Sequence, residues 1–491
     1  MGFNPLHPPA DPEHPAWHNL HPGIGNQCFR EQIFNTAKYP ATRELKPSDF
    51  RWQVANAEAP GTSDTSQVAT DHIDNAGVIN NIAYLNYRPK HEEKMANGSV
   101  RPVFHVLKDG ADSVGSACLD DPTAKPGVND TACAALRGYV NIGLCADVWM
   151  SLHDPVYGLK KAQTPFHIQR SRQQSKPCDE AWTGTVSRLE GLEAFLRTLG
   201  PLHLDDADGG SQYMPKDAAV LTRGKLVFAE NCARCHSSKQ PPQGYKGSAV
   251  DWFRAAVLRD DFLEQNFLSD EEKYPVSEIG TNAKRALASN AERGQIWEEF
   301  SSESYKTAPY VPVTGLVNPL APAFHLHSVT ANGGRGYYRT PTLLNVWATA
   351  PFLHNNALGL YNGDPSVAGR LAAYESAMTM LLWPERRPGP KSIRRTTQPS
   401  RFAFEDGGIV CIARNTPVDL IANIRVAPRD HPGPNKLVSD LLCPITGSGA
   451  LNPLFLRMDN APDFVEDRGH TYGAKLADAD KRALIEYMKM F

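Results

Sequence analysis

Apolar residues recur at helical spacing in three separate segments of the chain. In residues 181–199 the apolar positions are Val186, Leu189, Leu192, Phe195 and Leu196. In residues 216–232 they are Val220, Leu221, Leu226, Val227 and Phe228. In residues 478–491 one stripe is formed by Leu484, Met488 and Phe491, widened by Ile485. Positions three, four and seven residues apart share one face of an α-helix, so each segment is predicted to be an amphipathic helix. Asp478 is the predicted N-cap of the last one.

Proline and glycine indicate irregular structure between these helices. Roughly the first 40 residues are rich in proline, which removes backbone donors and disfavours a helix. Residues 41–180 contain only short apolar pieces interrupted by Gly, Asp and Pro. Residues 200–214 contain Pro201, Gly209 and Gly210, and they are predicted to be a linker.

The linker is predicted to divide the chain into two domains, because 491 residues allow two or three. The N-terminal domain comprises residues 1–212 and the C-terminal domain residues 213–491. Residues 380–445 are rich in Pro and Arg, and they are predicted to be a long insertion in the second domain. The predicted fold class is mainly α, with an irregular, mostly α N-terminal domain and a C-terminal domain that carries long loops.

Composition narrows the classes of function. Hydrophobic residues make up 41% and charged residues 21%, a balance typical of soluble globular proteins. The formal net charge is −3 and no basic block occurs, so no nucleic-acid partner is expected. No run of about 18 apolar residues occurs, so no transmembrane segment is expected. The first residues lack the basic and apolar regions of a secretory signal, and we expect the chain to be trimmed or its true start to lie upstream.

Residues 232–236 have the sequence Cys-Ala-Arg-Cys-His, the attachment signal for c-type haem. The thiols of Cys232 and Cys235 would add across the vinyl groups at one porphyrin edge, and the imidazole of His236 would lie beneath the iron as its fixed ligand. A thioredoxin-like redox pair and half a zinc site are the alternatives. The sequence has no second Cys-x-x-Cys and no βαβ pattern around this one. We therefore predict one covalent haem c per chain.

Seven further cysteines are outside this motif, since the chain contains nine. Seven is odd, so at least one is free or pairs outside the chain. In an oxidising compartment, local bridges could join Cys118 to Cys133 and Cys411 to Cys443. The alternative is that most of these residues are buried thiols.

The iron needs a sixth ligand or an open face. Small cytochromes c use methionine, for which the candidates are Met378, Met380 and Met458. Methionine is more often a core residue, and His470 is the better candidate. It lies just ahead of the terminal helix, between Gly469 and Gly473, which would let the backbone approach a flat ligand closely.

Several blocks resemble the rubber oxygenase-like branch of the di-haem cytochrome c peroxidase superfamily. Residues 338–356, Tyr-Arg-Thr-Pro-Thr-Leu-Leu-Asn-Val-Trp-Ala-Thr-Ala-Pro-Phe-Leu-His-Asn-Asn, are similar to the signature segment that packs around the haem. Residues 469–487 resemble the end of such chains, and residues 224–231 resemble the first helix of cytochrome c domains. In those domains a small glycine, here Gly224, allows the last helix to cross closely.

The resemblance covers residues 213–491 in discontinuous blocks and implies a cytochrome c-like C-terminal domain. It implies that His470 is the distal ligand, which gives bis-His ligation with His236. It also implies positions for His354 and Trp347 around the haem. The alternative for His354 is a histidine whose hydrogen bonds are made within a packed loop. The alternative for Trp347 is a tryptophan packed in the core.

The chain departs from this family in its number of haem motifs. Family members usually carry two, and oxygen or peroxide reacts at the N-terminal haem, whereas this chain has one motif. Residues 139–149 resemble N-terminal domain sequence of the same group. Residues 1–212 are therefore interpreted as a degenerate or truncated first haem domain.

Three functions follow from these predictions and remain open. The leading one is an electron-transfer protein of the periplasm, or a secreted one, that exchanges electrons with a redox partner protein or a small donor or acceptor. Two protein ligands leave the iron no vacant site, which favours this function. The second is a haem oxidoreductase of the peroxidase or oxygenase type. The third is a non-catalytic module that binds a partner and in which the haem mainly stabilises the fold.

Overall fold

The computed structural model describes residues 84–105, 173–281, 286, 302–389, 391–416, 443–452 and 464–491, with gaps inside several of these ranges. Helices predominate over short strands in this part of the chain, as predicted. None of the helices described there is both long and apolar enough to cross a membrane. The proline-rich start and residues 139–149 lie outside the described residues, and the division into two domains stays a prediction.

The helices follow one another between residues 176 and 488. In chain order they are α1 (Lys176–Val186), α2 (Leu189–Thr198), α3 (Ala218–Asn231), α4 (Ala249–Val257), α5 (Val276–Ile279), α6 (Glu303–Lys306), α7 (Val367–Leu382) and α8 (Asp478–Met488). The single helix predicted for residues 181–199 is thus two helices, α1 and α2. Ser187 lies at the break and donates its hydroxyl to the carbonyl of Gly184, an interaction that competes with regular helix hydrogen bonding.

The strands form two-stranded antiparallel pairs. These are His91–Lys94 (β1) with Val100–Val103 (β2), Lys273–Pro275 (β3) with Tyr337–Arg339 (β6), Leu316–Val317 (β4) with His325–Leu326 (β5), Lys391–Ser392 (β7) with Phe464–Val465 (β10), and Ser400–Ala403 (β8) with Ile409–Ile412 (β9). Cys411 in β9 forms a disulfide with Cys443, which confirms one predicted bridge. Cys118 and Cys133 lie outside the described residues.

Helices α3 and α8 cross at Gly224. A Cβ atom at this position would lie 2.2 Å from the carbonyl oxygen of Ala483 and 2.7 Å from the Cβ of Tyr487. Only glycine permits this approach, so the predicted close crossing is confirmed. Across the same contact the guanidinium of Arg223 donates to both carboxylate oxygens of Asp480, at 2.6 and 2.8 Å.

A side chain caps the start of α3, whereas none caps the start of α8. Asp217 caps α3, because its carboxylate accepts from the backbone N–H groups of Ala219 and Val220. The predicted N-cap of α8 was wrong: Ala477 occupies that position, and Asp478 is the first helical residue. The carboxylate of Asp478 instead accepts a hydrogen bond of 2.9 Å from the indole N–H of Trp383.

One aromatic core underlies α3 and α8. Phe228 is fully buried and makes edge contacts with Phe262, Tyr487 and Phe491. Leu204 belongs to the same core, and residues 204–213 around it form two short 3-10 turns. The predicted linker is therefore folded against the core that carries the Cys-x-x-Cys-His motif.

Candidate functional site

The Cys-x-x-Cys-His segment follows directly from the end of α3. The backbone N–H groups of Cys232 and Ala233 both donate to the carbonyl of Phe228, which closes the helix. The N–H groups of Cys235 and His236 then donate to the carbonyl of Cys232, at 3.1 and 2.9 Å. This tight turn follows a rigid core helix and fixes both cysteines beside the histidine. Both thiols are free and partly exposed.

His236 faces His470, which comes from a segment 234 positions further along the chain. The centroids of the two imidazole rings are 6.3 Å apart, and the ring planes are inclined by 56°. A bond between a metal and an imidazole nitrogen is about 2.0 Å long, and the ring centroid lies about 1.1 Å behind that nitrogen, so two imidazoles in line on one metal have centroids about 6.2 Å apart. Rings on a common axis can take any relative rotation. The observed pair therefore has the spacing that bis-His ligation of one iron requires.

Both rings are held in the neutral form that binds metals. Enclosure by protein and, to a lesser extent, the neighbouring His470 lower the pKa of His236 to about 3. Enclosure also lowers the pKa of His470, and the positive charge of Arg387 acts in the same direction. The Nδ1 atoms of both histidines are buried without a hydrogen bond of ordinary geometry. Buried polar atoms without partners are costly in a protein core, so both rings stand out among the described residues.

The surroundings of His236 match those of a metal-bound histidine. The carbonyl groups of Pro341 and Leu268 face its ring and partly oppose the fall in its pKa. Histidines that bind metals usually direct their second ring nitrogen at a carbonyl or carboxylate, which fixes the tautomer. Pro341 lies in the block, residues 338–356, that the resemblance placed around the haem.

The thiols do not have the properties of a thioredoxin-like pair. Burial raises the pKa of Cys232 to about 12, and the nearby Cys235 adds to the rise. Burial likewise raises the pKa of Cys235. Redox cysteines of that kind need a lowered pKa. Zinc fits no better, since no group of three or more His, Cys, Asp or Glu residues in the described part of the chain could hold an ion. Haem requires only two protein ligands, because the porphyrin supplies the others.

Backbone contacts hold His470 in an uncommon conformation. Its φ of +46° lies in the left-handed region, where few residues other than glycine are found. The preceding Gly469 also has positive φ, and a Cβ there would lie 2.3 Å from the amide nitrogen of Thr281. Gly469 is therefore required by its packing on the backbone of residues 280–281. The approach of a flat ligand to this segment stays a prediction.

Tyr274 and Asp270 lie at the site, although no sequence pattern predicts them there. Tyr274 donates its hydroxyl to Asp270 at 2.7 Å and faces the thiol of Cys235, where it opposes the rise of that thiol's pKa. The backbone N–H of Asp270 donates to the carbonyl of Cys235 at 2.8 Å. The segment that carries both residues has no periodic pattern, and only its fold against the Cys-x-x-Cys-His turn brings them to the site.

The remaining candidates lie in packed positions. Met378 is fully buried in the core, and the sulfur of Met380 accepts from the backbone N–H of Gly359 at 3.2 Å. Met458 lies outside the described residues. Trp347 is buried, and its indole N–H donates to the carbonyl of Leu202.

His354 is linked to the site through the short sheet of β3 and β6. Its ring stacks on Tyr338 with the centroids 4.6 Å apart. Tyr338 pairs across the two strands with Tyr274, the residue beside Cys235. The roles proposed for His354 and Trp347 around a haem stay predictions.

The likeness to the di-haem peroxidase superfamily stays a prediction. Comparisons with models of known protein families, with curated proteins and with solved structures find no match for this chain.

Proposed function

We propose that this chain is a c-type cytochrome that transfers electrons through one covalently bound haem. The observation that carries the proposal is the 6.3 Å spacing of two enclosed, neutral imidazoles, His236 and His470. The free thiols of Cys232 and Cys235 lie beside them in the attachment sequence. Together these four side chains provide the ligands and the attachment points that haem c requires.

Each part of the site has a separate task in this proposal. Cys232 and Cys235 would hold the haem through two thioether bonds, and the haem, when bound, would supply one-electron redox chemistry. His236 and His470 would both hold the iron, so they would leave no place on it for a substrate. The aromatic core beneath α3 and α8 holds His236 rigidly. A site of this kind favours outer-sphere electron transfer with a redox partner protein or a small donor or acceptor.

A location in the periplasm or outside the cell belongs to the same proposal. Bacteria attach haem c outside the cytoplasm, and the disulfide between Cys411 and Cys443 supports an oxidising compartment. Cell fractionation tests this location, since haem-loaded chain in the cytosol would contradict it.

Covalent attachment is the first prediction. The purified protein should keep its colour after extraction with acidified acetone, and its intact mass should exceed that of the polypeptide by one haem. The double variant Cys232→Ala, Cys235→Ala should release the pigment, because the thioether bonds cannot form. The matched control Cys411→Ala, Cys443→Ala removes two cysteines away from the site and should retain it. Full extraction of the pigment from the unchanged protein would refute the proposed function.

A further inference from the structure

The peptide unit that precedes His470 is held at both of its polar atoms. The carbonyl oxygen of Gly469 accepts from Nη1 of Arg387 at 2.8 Å. The N–H of His470, in the same peptide unit, donates to the carbonyl of Ile279 at 2.8 Å. A peptide unit is planar, so bonds at both polar atoms fix the orientation of the whole plane.

Arg387 connects this peptide to the end of α7. Its Nη1 also donates to the carbonyl of Asp467 at 2.6 Å. Its Nε donates to the carbonyl of Met380 at 2.7 Å, and its Nη2 donates to that of Leu381 at 3.2 Å. Carbonyl groups in the last turn of a helix lack partners within the helix. The guanidinium fork therefore joins the C-terminal turn of α7 to the segment that carries His470.

The charge of Arg387 is accommodated within the same segment. The side chain is half-buried, and burial lowers its pKa while Asp467 opposes that effect. The carboxylate of Asp467 accepts from the backbone N–H of Gly389 at 2.7 Å, which keeps it beside the guanidinium.

The conformation of His470 needs such support. Residues other than glycine rarely adopt the left-handed conformation. They keep it where contacts with the surrounding structure hold the backbone in place. With the preceding peptide plane fixed by Arg387 and Ile279, the direction of the His470 side chain is set by its own φ and rotamer alone. Loss of the guanidinium would free the carbonyl of Gly469 and let that plane turn.

We infer that Arg387 is a positioning residue that holds His470 in place as the sixth iron ligand, an inference that rests on the proposed function. Without Arg387 the sixth position becomes exchangeable, and external ligands gain access to the iron.

The test compares Arg387→Gln and Arg387→Lys with Arg386→Gln, all in the full haem-loaded chain. Arg386 is exposed and lies over the ring of Trp383, so it provides a matched loss of charge at the neighbouring position. Loss of hydrogen bonds from a charged group should speed carbon monoxide binding to the ferrous iron by about tenfold or more. Arg387→Gln should also show ferric high-spin signal that added imidazole removes. Hydrogen exchange in a peptide that spans residues 467–473 should rise, while Arg386→Gln should match the unchanged protein.

Each outcome decides the inference. The inference is overturned if Arg387→Gln binds carbon monoxide at the same rate as the unchanged protein, stays low-spin and shows the same hydrogen exchange. If Arg387→Gln does not fold, Arg387→Lys decides, because one ammonium cannot reach all four carbonyls and should shift the same readings in the same direction. Failure of the proposed function would be seen in a different observation: the ferric spectrum of the unchanged protein would not be low-spin. In that case faster hydrogen exchange in Arg387→Gln would still show that Arg387 holds this segment.

Discussion

His470 combines three properties that a packed histidine has no need of. It is neutral, its Nδ1 is buried without a partner, and its backbone lies in the left-handed region. The last two properties have an energetic cost, since buried polar atoms without partners and uncommon backbone conformations both destabilise a fold. Residues that keep such costs are usually found at functional sites. The proposed role as an iron ligand would require a neutral, enclosed ring that is held in one direction.

The ligand assignment predicts the effect of replacing His470. His470→Ala should convert the ferric iron from low-spin to high-spin and allow it to bind carbon monoxide or peroxide, because the sixth position opens. Met378→Leu and Met380→Leu are the controls and should leave the spectrum unchanged, since Met378 fills the core and Met380 binds Gly359. The measurement is the visible absorption spectrum of ferric and ferrous protein.

Two results would contradict this assignment. One is a weak sulfur-to-iron band near the red edge in the unchanged protein, which would indicate methionine ligation. The other is His470→Ala protein that stays six-coordinate and low-spin without added ligand. Rapid carbon monoxide binding by the unchanged ferrous protein would instead favour the peroxidase or oxygenase alternative, in which His470 is an exchangeable ligand.

At the scale of elements, the crossing of α3 and α8 fixes the base of the site. Gly224→Ala should lower the free energy of unfolding by about 3 kcal/mol, which is the upper end of the usual cost of overpacking. The reason is that the added Cβ would overlap backbone atoms of Ala483, which cannot move aside. Gly191→Ala is the matched control. Gly191 is an exposed glycine in α2 with nothing within 4 Å of the added Cβ.

The two alanine variants should therefore change stability in opposite directions. Alanine is the better helix former, so Gly191→Ala should raise the free energy of unfolding by up to about 1 kcal/mol. Urea denaturation of both variants measures the difference. Equal effects at the two positions would mean that the helices do not cross at Gly224.

The helices around the motif could be predicted from sequence because their patterns are local. The apolar stripes of α3 and α8 and the spacing of Cys232, Cys235 and His236 each lie within a few turns of chain. Arg387 and Tyr274 could not be predicted, because their roles depend on partners brought together by the fold. Arg387 binds a carbonyl 82 residues away. The break between α1 and α2 was also missed, since it involves one hydroxyl, that of Ser187.

At the scale of the whole molecule, residues on both sides of the predicted domain boundary meet beside the site. Arg88, from the predicted N-terminal domain, forms an ion pair of 2.5 Å with Glu271, and both side chains are almost completely buried. Glu271 follows Asp270, whose backbone N–H binds the carbonyl of Cys235. The guanidinium of Arg88 also lies over the ring of Phe267. Residues from the early part of the chain thus support the segment that packs against the Cys-x-x-Cys-His turn.

This ion pair predicts a large and pH-dependent loss of stability in Arg88→Met. Burial raises the pKa of Glu271, but Arg88 and the neighbouring His91 and His105 outweigh it, so the pKa lies below the usual 4.5. A lowered carboxylate pKa contributes stability above the unfolded-state value, and this contribution is lost as the pH falls through the folded-state value. Removal of Arg88 takes the one arginine partner away from a buried carboxylate and leaves it only the histidine contact of 3.5 Å with His91, which should cost about 3–5 kcal/mol at pH 7.

The pH dependence separates this mechanism from a general loss of packing. At pH 4 a Glu271 that has lost Arg88 can take up a proton, so the difference between Arg88→Met and the unchanged protein should shrink. Arg259→Met is the control, because Arg259 forms an exposed pair with Asp261, and such pairs contribute less than about 1 kcal/mol. Urea denaturation of the three proteins at both pH values gives the comparison. A cost for Arg88→Met that is the same at pH 4 and pH 7 would show that Arg88 acts by packing on Phe267 rather than by pairing with Glu271.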